Sequence, residues 1–229
     1  MRGMISGEEA GATLSAVADA TLQGLLPYVE AEFQRSHGRI PGGEFVILGM
    51  GKIGGREMTF SSDLDLIFVY RGDEAESTQS DGLRVLPLSQ YYGRLSQRLV
   101  TALSALTPEG KLYEIDARLR PSGQSSPLAS EVNGFAEYQN KSAWTWEHMA
   151  LTRARVIAGS PVLGKFVSMR IMEVLTTPRD DSQLVRDVAS MRLRIDKKRR
   201  TENLWKLKHV RGGLLDLEFI GQYLELREA

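Results

Sequence analysis

One stretch constrains the fold of this chain more than any other. The apolar run Phe45-Val46-Ile47-Leu48 breaks into Gly49-Met50-Gly51-Lys52-Ile53-Gly54-Gly55, and the chain resumes as Ser61-Ser62-Asp63-Leu64-Asp65-Leu66-Ile67-Phe68-Val69-Tyr70. Short apolar runs bounded by turn formers read as buried strands, so the pattern predicts two strands joined by a glycine-rich turn, with a short helical turn between Lys52 and Phe60. A glycine carries no Cβ, which lets bare backbone N–H groups come up to a phosphate. Asp63 and Asp65 stand i, i+2 in a segment that reads as extended. Their side chains then leave one face of the sheet with Cα atoms roughly 6.5 Å apart. Carboxylates that close repel unless something positive lies between them, and Mg²⁺ is the hard cation that takes carboxylates together with nucleotide phosphate oxygens. An edge strand with exposed acids has the same Asp-x-Asp pattern. The glycine turn about ten residues upstream favours a site for transferring a nucleotidyl group.

A second stretch bears on the same chemistry. Leu112 to Arg120 alternates, with Tyr113, Ile115, Ala117 and Leu119 predicted to face a core and Glu114, Asp116, Arg118 and Arg120 to face the other way. Four charged side chains along one strand are costly to bury unless paired or bound to something. Beside the Asp63 strand, Asp116 becomes a third carboxylate aimed at the same metals, and Arg118 and Arg120 come within reach of triphosphate oxygens. A half-exposed strand with alternating salt bridges is the other reading of this stretch.

The rest of the chain reads as helices around that sheet. Leu14, Ala18, Leu22, Leu25, Val29 and Phe33 predict an amphipathic helix over about Thr13 to Arg35, and Leu88 to Leu106 a second, crossing back to the sheet. Arg71 to Gly82, with Asp73, Glu74, Glu76 and Asp81, reads as an exposed loop, and Thr107 to Gly110 as a turn. After the turn formers Pro121 to Pro127, helical periodicity is expected over Glu131–Gln139, over Ala143–Ala158 with Trp144, Glu147, Leu151 and Ala154 on its buried side, over Pro161–Leu175 and Asp181–Arg200, and from Leu214 to the end with Leu215, Phe219, Ile220, Tyr223 and Leu224 on one stripe. The expected organisation is therefore a catalytic unit over residues 1–130 and a helical one over 131–229. The last helix has no stop signal, which leads us to expect a longer polypeptide.

Composition limits the function classes. Basic and acidic residues balance at 29 each, so bulk charge nominates neither nucleic acid nor a membrane, and no apolar stretch approaches the ~20 residues of a membrane span. The absence of cysteine excludes disulfides and thiolate metal sites and fits a reducing, cytoplasmic setting. A local excess of Arg192, Arg194, Lys197, Lys198, Arg199, Arg200, Lys206, Lys208 and Arg211 over Asp196 and Glu202 is either a solvated helix face or a patch for triphosphate or an acidic surface. Trp205 is the only aromatic there, which argues against single-strand stacking. His148, beside Trp146 and Glu147, reads as a packing or hydrogen-bonding residue.

Gly49 to Phe68, Glu114 to Gly123, Ala143 to Arg155 and Gly212-Gly213-Leu214-Leu215-Asp216-Leu217-Glu218-Phe219 together resemble the glutamine synthetase adenylyltransferase family. Members of that family attach AMP to, and remove it from, a tyrosine of glutamine synthetase, using two related nucleotidyltransferase halves. Glu114-Ile115-Asp116-Ala117-Arg118-Leu119-Arg120-Pro121-Ser122-Gly123 and Ala143-Trp144-Thr145-Trp146-Glu147-His148 resemble the adding, C-terminal half more closely. The resemblance implies an α+β, polymerase-β-like nucleotidyltransferase fold followed by a helical bundle, with Asp63, Asp65 and Asp116 as metal-binding carboxylates. It further implies ATP as substrate, Mg²⁺ or Mn²⁺ as cofactor, Gly51, Lys52, Gly55, Ser62, Arg118 and Arg120 about the phosphates, and glutamine synthetase and a PII-type signalling protein as partners of the full-length enzyme. The removing half, the same fold acting on RNA or a small molecule, and a non-catalytic nucleotide- or partner-binding module stay open from residues alone.

Overall fold

The structure is a computed structural model and describes residues 5–73, 78–199, 201–203 and 205–229. A long helix, α1 (Gly7–His37), starts at Ser6, whose hydroxyl accepts the Glu9 N–H while the Glu9 carboxylate accepts the Ser6 N–H, a capping box that satisfies two orphan donors. There follow β1 (Glu44–Gly49), the single turn α2 (Gly51–Gly54), β2 (Leu64–Arg71), α3 (Leu88–Ser104), a two-residue hairpin of β3 (Leu106–Thr107) and β4 (Gly110–Lys111), and β5 (Ile115–Asp116). After a 3-10 turn come β6 (Ala129–Glu131), α4 (Val132–Lys141), α5 (Thr145–Leu151), β7 (Arg155–Gly159), α6 (Pro161–Leu175), α7 (Asp181–Arg199) and α8 (Leu214–Glu228).

The main sheet is mixed. β1 pairs antiparallel with β2 on one side and with β7 on the other. Both β5 and β6 lie parallel along the far edge of β2, β5 beside its first residues and β6 beside its last. Helices α1 and α3 cover one face: Ala18, Leu22, Phe33, Leu95 and Leu99 pack on Ile47, Leu64, Leu66 and Phe68. The opposite face carries Val46, Leu48, Ile67 and Val69 beneath Phe135, Leu151, Leu163 and Val167 of α4, α5 and α6. Burial on both faces explains why the middle of β1 and β2 reads as a continuous apolar run. Each such side chain taken from water contributes about 1.5–3 kcal/mol, so the sheet can carry mutually repelling acids at one strand end.

Several expectations are corrected. Over Leu112–Arg120 only Ile115 and Asp116 join the sheet. The Asp116 carboxylate accepts the N–H of Arg118 at 2.9 Å, a local bond that competes with the ladder and turns the backbone away. Tyr113 and Ile115 then pack against one face of the sheet and Leu119 against the other. The helix expected over Ala143–Ala158 divides into α5 and β7, because the β-branched pair Val156-Ile157 takes the open edge of β1. Trp144, expected inside, is the exposed residue preceding α5. The boundary expected near residue 130 consequently falls within β6, and residues beyond it complete the sheet. The loop after β2, exposed at Asp73 and Asp81 as expected, is tethered at its far end, where the Asp81 carboxylate accepts the Arg39 N–H at 2.6 Å and the Gly82 N–H donates to His37 O at 3.0 Å. Glu74, Glu76 and Arg200 lie outside the described residues. On α8, Leu215 and Leu226 are buried and Phe219 and Tyr223 pack beside them, whereas Ile220 and Leu224 of the expected stripe are exposed.

Candidate active site

The start of β2 makes the site. Asp65 is register partner to Asp116 of β5, and in parallel strands such partners put their side chains on one face. Asp63, two residues earlier, is exposed at the mouth. One carboxylate oxygen from each of Asp63, Asp65 and Asp116 lies within 4.8 Å of the other two. Asp65 alternates with Ile67 and Val69, so the acids occupy the sheet face that α4, α5 and α6 cover elsewhere.

The turn between the strands closes on the same point. The Met50 N–H donates to Asp65 O at 2.9 Å, and Gly51 follows with φ +50°. A Cβ at Gly51 would stand 2.5 Å from Asp65 Oδ2. Both the left-handed backbone and the close carboxylate therefore require glycine. The single turn of α2 starts there with N–H groups that the helix itself leaves unpaired. Lys52 is next, half-buried on that turn.

Electrostatics distinguish the three acids. Burial, and then the neighbouring Asp63 and Asp116, push the Asp65 carboxyl up to about 6, while Lys208 and Arg118 pull it back. Asp116 goes the other way, held below the usual carboxylate range chiefly by the Arg118 guanidinium, which donates to both of its oxygens. An exposed arginine thus keeps Asp116 ionised while Asp65 resists ionisation. Three clustered carboxylate oxygens, one of them driven towards protonation by the others, fit a hard divalent cation such as Mg²⁺ or Mn²⁺.

The remaining sequence-predicted residues divide. Arg118 stands at the acids. Arg120 instead donates to Ala117 O at 2.6 Å and Ser126 O at 3.2 Å, bracing the loop between β5 and β6. The Ser62 hydroxyl accepts the Thr59 N–H at 2.9 Å and so shapes the turn before β2. Gly55 faces Arg153, whose Nε would lie 2.9 Å from a Cβ placed there.

Arg153 and Arg155, assigned from sequence to a helix, hold the glycine turn from behind. Arg155 donates to both Asp19 oxygens, at 2.8 and 2.9 Å, and to Ile53 O at 2.9 Å, joining α1, α2 and β7. Arg153 pairs with Glu57 beside the turn and with Glu218 of α8 at 3.4 Å. Arg153 lies in the turn that ends α5 and Arg155 opens β7, so no helical or strand spacing in the sequence marked the pair. The Nε2 of His148 is 2.9 Å from Gln139 O, the structural role read from sequence.

Known proteins are similar to this chain over nearly all of its length. A family model for glutamate-ammonia ligase adenylyltransferase matches residues 1–168. The chain belongs to that adenylyltransferase family. Among relatives named bifunctional glutamine synthetase adenylyltransferase/adenylyl-removing enzyme, that of Xanthobacter autotrophicus is 48% identical over 227 residues, 99% of this chain and 23% of the relative. Those of Brucella suis and Rhizobium meliloti are 47% and 46% identical over 226 residues, again 99% of this chain and 23% of theirs. The chain therefore spans about a quarter of the length of these family members, and the adenylyltransferase family match covers the whole of the acid cluster and its glycine turn. Among the described residues no helix is long and apolar enough to cross a membrane.

Proposed function

We propose that this chain is the nucleotidyltransferase portion, polymerase-β-like in fold, of a glutamine synthetase adenylyltransferase, and that it transfers AMP from ATP to a tyrosine of glutamine synthetase in the control of nitrogen metabolism. The observation that carries this reading is the gathering of Asp63, Asp65 and Asp116 within 4.8 Å beside the Gly51 turn. The motifs at Glu114 to Gly123 and Ala143 to His148 support the adding rather than the removing half. A cytoplasmic setting and regulation by a PII-type partner through the full-length enzyme go with this assignment.

In this reading the phosphates of ATP rest against the N–H groups of the Gly51-Lys52 turn, with the Lys52 ammonium alongside. Asp63, Asp65 and Asp116 would hold Mg²⁺ or Mn²⁺, and such an ion would supply positive charge to neutralise the triphosphate and ease ionisation of a tyrosine hydroxyl whose pKa is otherwise near 10. Arg118 keeps Asp116 ionised and oriented, ready to bind before the nucleotide arrives. The acceptor oxygen bonds to the α-phosphorus as its proton leaves to solvent. The bond from that phosphorus to the bridging oxygen of the β-phosphate breaks, and pyrophosphate departs with the electron pair. Gly55, Ser62 and Arg120 act by shaping the two loops rather than by touching phosphate.

The test is incubation of the chain with ATP, Mg²⁺ and purified glutamine synthetase, followed by mass measurement of the acceptor. Gain of AMP on a tyrosine is expected, and Asp63→Asn abolishes it with the far-ultraviolet dichroism unchanged. Retained transfer in Asp63→Asn removes that residue from the site, and loss of AMP from a previously modified acceptor assigns the removing reaction instead.

A further inference from the structure

We propose that the cavity between α4, α5 and α7 is a binding site for a small alkylammonium ligand, whose charged head is held by Asp180, Asp187 and the side-chain oxygen of Gln139 and whose chain lies on Val174 and Leu184. The site shares no residue with the acid cluster and goes beyond the nucleotidyltransferase reading.

The cavity has a volume of about 280 Å³, at the small end of ligand sites. Its walls are held by specific bonds. The Nε2 of His148 lies 2.9 Å from Gln139 O, and because a carbonyl only accepts, the ring nitrogen is the donor. This bond ties α5 to the last turns of α4. Across the cavity Asp180 caps α7, its carboxylate accepting the Gln183 N–H at 2.6 Å and its carbonyl the Leu184 N–H at 2.9 Å. Two turns further along α7, Asp187 accepts from the Thr145 hydroxyl of α5 and from the Gln183 side-chain amide, both at 2.7 Å. Val174 and Leu184, both buried, give the cavity an apolar patch.

Two observations point to a ligand and to its charge. Gln139 is only 3% exposed, yet its Oε1 has no hydrogen-bond partner. A buried acceptor without a donor weighs against the fold, so it marks a place where a bound group supplies the donor. The ionisable groups lining the cavity give the sign. Asp180 and Asp187 are set against one guanidinium, that of Arg179, and it is spent on the end of α6, donating to Val174 O at 2.7 Å and to Leu175 O and Thr177 O at 2.8 Å. Burial holds His148 below its ordinary pKa, so the imidazole adds no positive charge at neutral pH. Among the described residues neither carboxylate has an ion-pair partner. Water can satisfy Gln139, but only a cation also answers the two carboxylates. Three acceptors beside an apolar patch match an ammonium, with its three N–H donors, on a short alkyl chain.

The full chain is titrated at pH 7.5 and constant ionic strength with propylamine, which is protonated there, and with uncharged propanol, and followed by ¹⁵N–¹H spectra. Saturable shifts at the Gln139 side-chain amide and the Gln183 N–H are expected with propylamine, and none with propanol. Asp180→Asn keeps an oxygen for the cap of α7 but removes the charge, and Gln139→Leu exchanges the unpaired amide for an apolar side chain of similar size. Each is expected to weaken propylamine about tenfold, the loss of one hydrogen bond to a charged group, read at the Gln183 N–H. No saturable shift in wild type means that water alone fills the cavity and overturns the proposal. An equal response to propanol, or unchanged affinity in either variant, overturns it as well.

Discussion

Replacing Asp65 by asparagine should make the metal-free protein more stable at neutral pH. The substitution keeps the shape of the side chain and removes one of three clustered charges. A carboxyl at about 6 in the folded chain, against an ordinary value of 3.8, is held ionised at pH 7.5 at a cost of roughly 3 kcal/mol, at about 1.36 kcal/mol for each tenfold. Water reaches the half-buried group and screens part of this, which leaves about 1–2 kcal/mol. Between pH 3.8 and about 6 the folded chain binds more protons than the unfolded one, so stability falls as pH rises through that window and the penalty is complete above it. Asp65→Asn lacks that term. Urea unfolding followed by tryptophan fluorescence, with a chelator present, should therefore show the variant ahead by about 1–2 kcal/mol at pH 7.5, the advantage vanishing near pH 4. Millimolar Mg²⁺ should stabilise wild type and leave the variant nearly unmoved, reversing the order. A variant less stable than wild type in chelator, or a difference independent of pH, would show that the three acids do not strain one another as argued.

Two further substitutions probe the scaffold. Gly51→Ala forces a left-handed backbone on a residue with a Cβ and drives that atom to within 2.5 Å of Asp65 Oδ2, so a loss of about 1–2 kcal/mol is expected together with weakened Mg²⁺ binding; unchanged Mg²⁺ affinity by calorimetry would contradict the close approach. Arg153→Ala breaks the contacts to Glu57 and Glu218, and because the arginine is largely buried and Glu57 is exposed, about 1–2 kcal/mol of stability should go. Protease cleavage near α8 should speed up in that variant, and an unaltered cleavage rate would mean that the helix is held by its apolar contacts alone.

What could be read from the sequence follows from where local signals dominate. The runs at Phe45–Leu48 and Leu64–Tyr70 are apolar because both faces are packed, and nothing else in the chain competes for that assignment. The meeting of Asp63, Asp65 and Asp116 followed from alternation plus the parallel return of the chain after α3. Alternation misled where a side chain bonded its own backbone: Asp116 captured the Arg118 N–H, and Arg120 turned to Ala117 and Ser126. The stretch Ala143–Ala158 reads as helical because Trp144, Glu147, Leu151 and Ala154 share a helical spacing, yet an open β1 edge claims its last residues, and such long-range pairing leaves no local mark.

The place of β7 beside β1 bears on how the chain comes together during synthesis. Val46 and Leu48 can find their second partner only after Gly159 has been made, so a nascent chain ending near residue 130 presents an unzipped, apolar border of the kind that recruits another copy of itself. Dissecting this region into halves at that point should yield aggregates, whereas a cut after α6 leaves the border sealed.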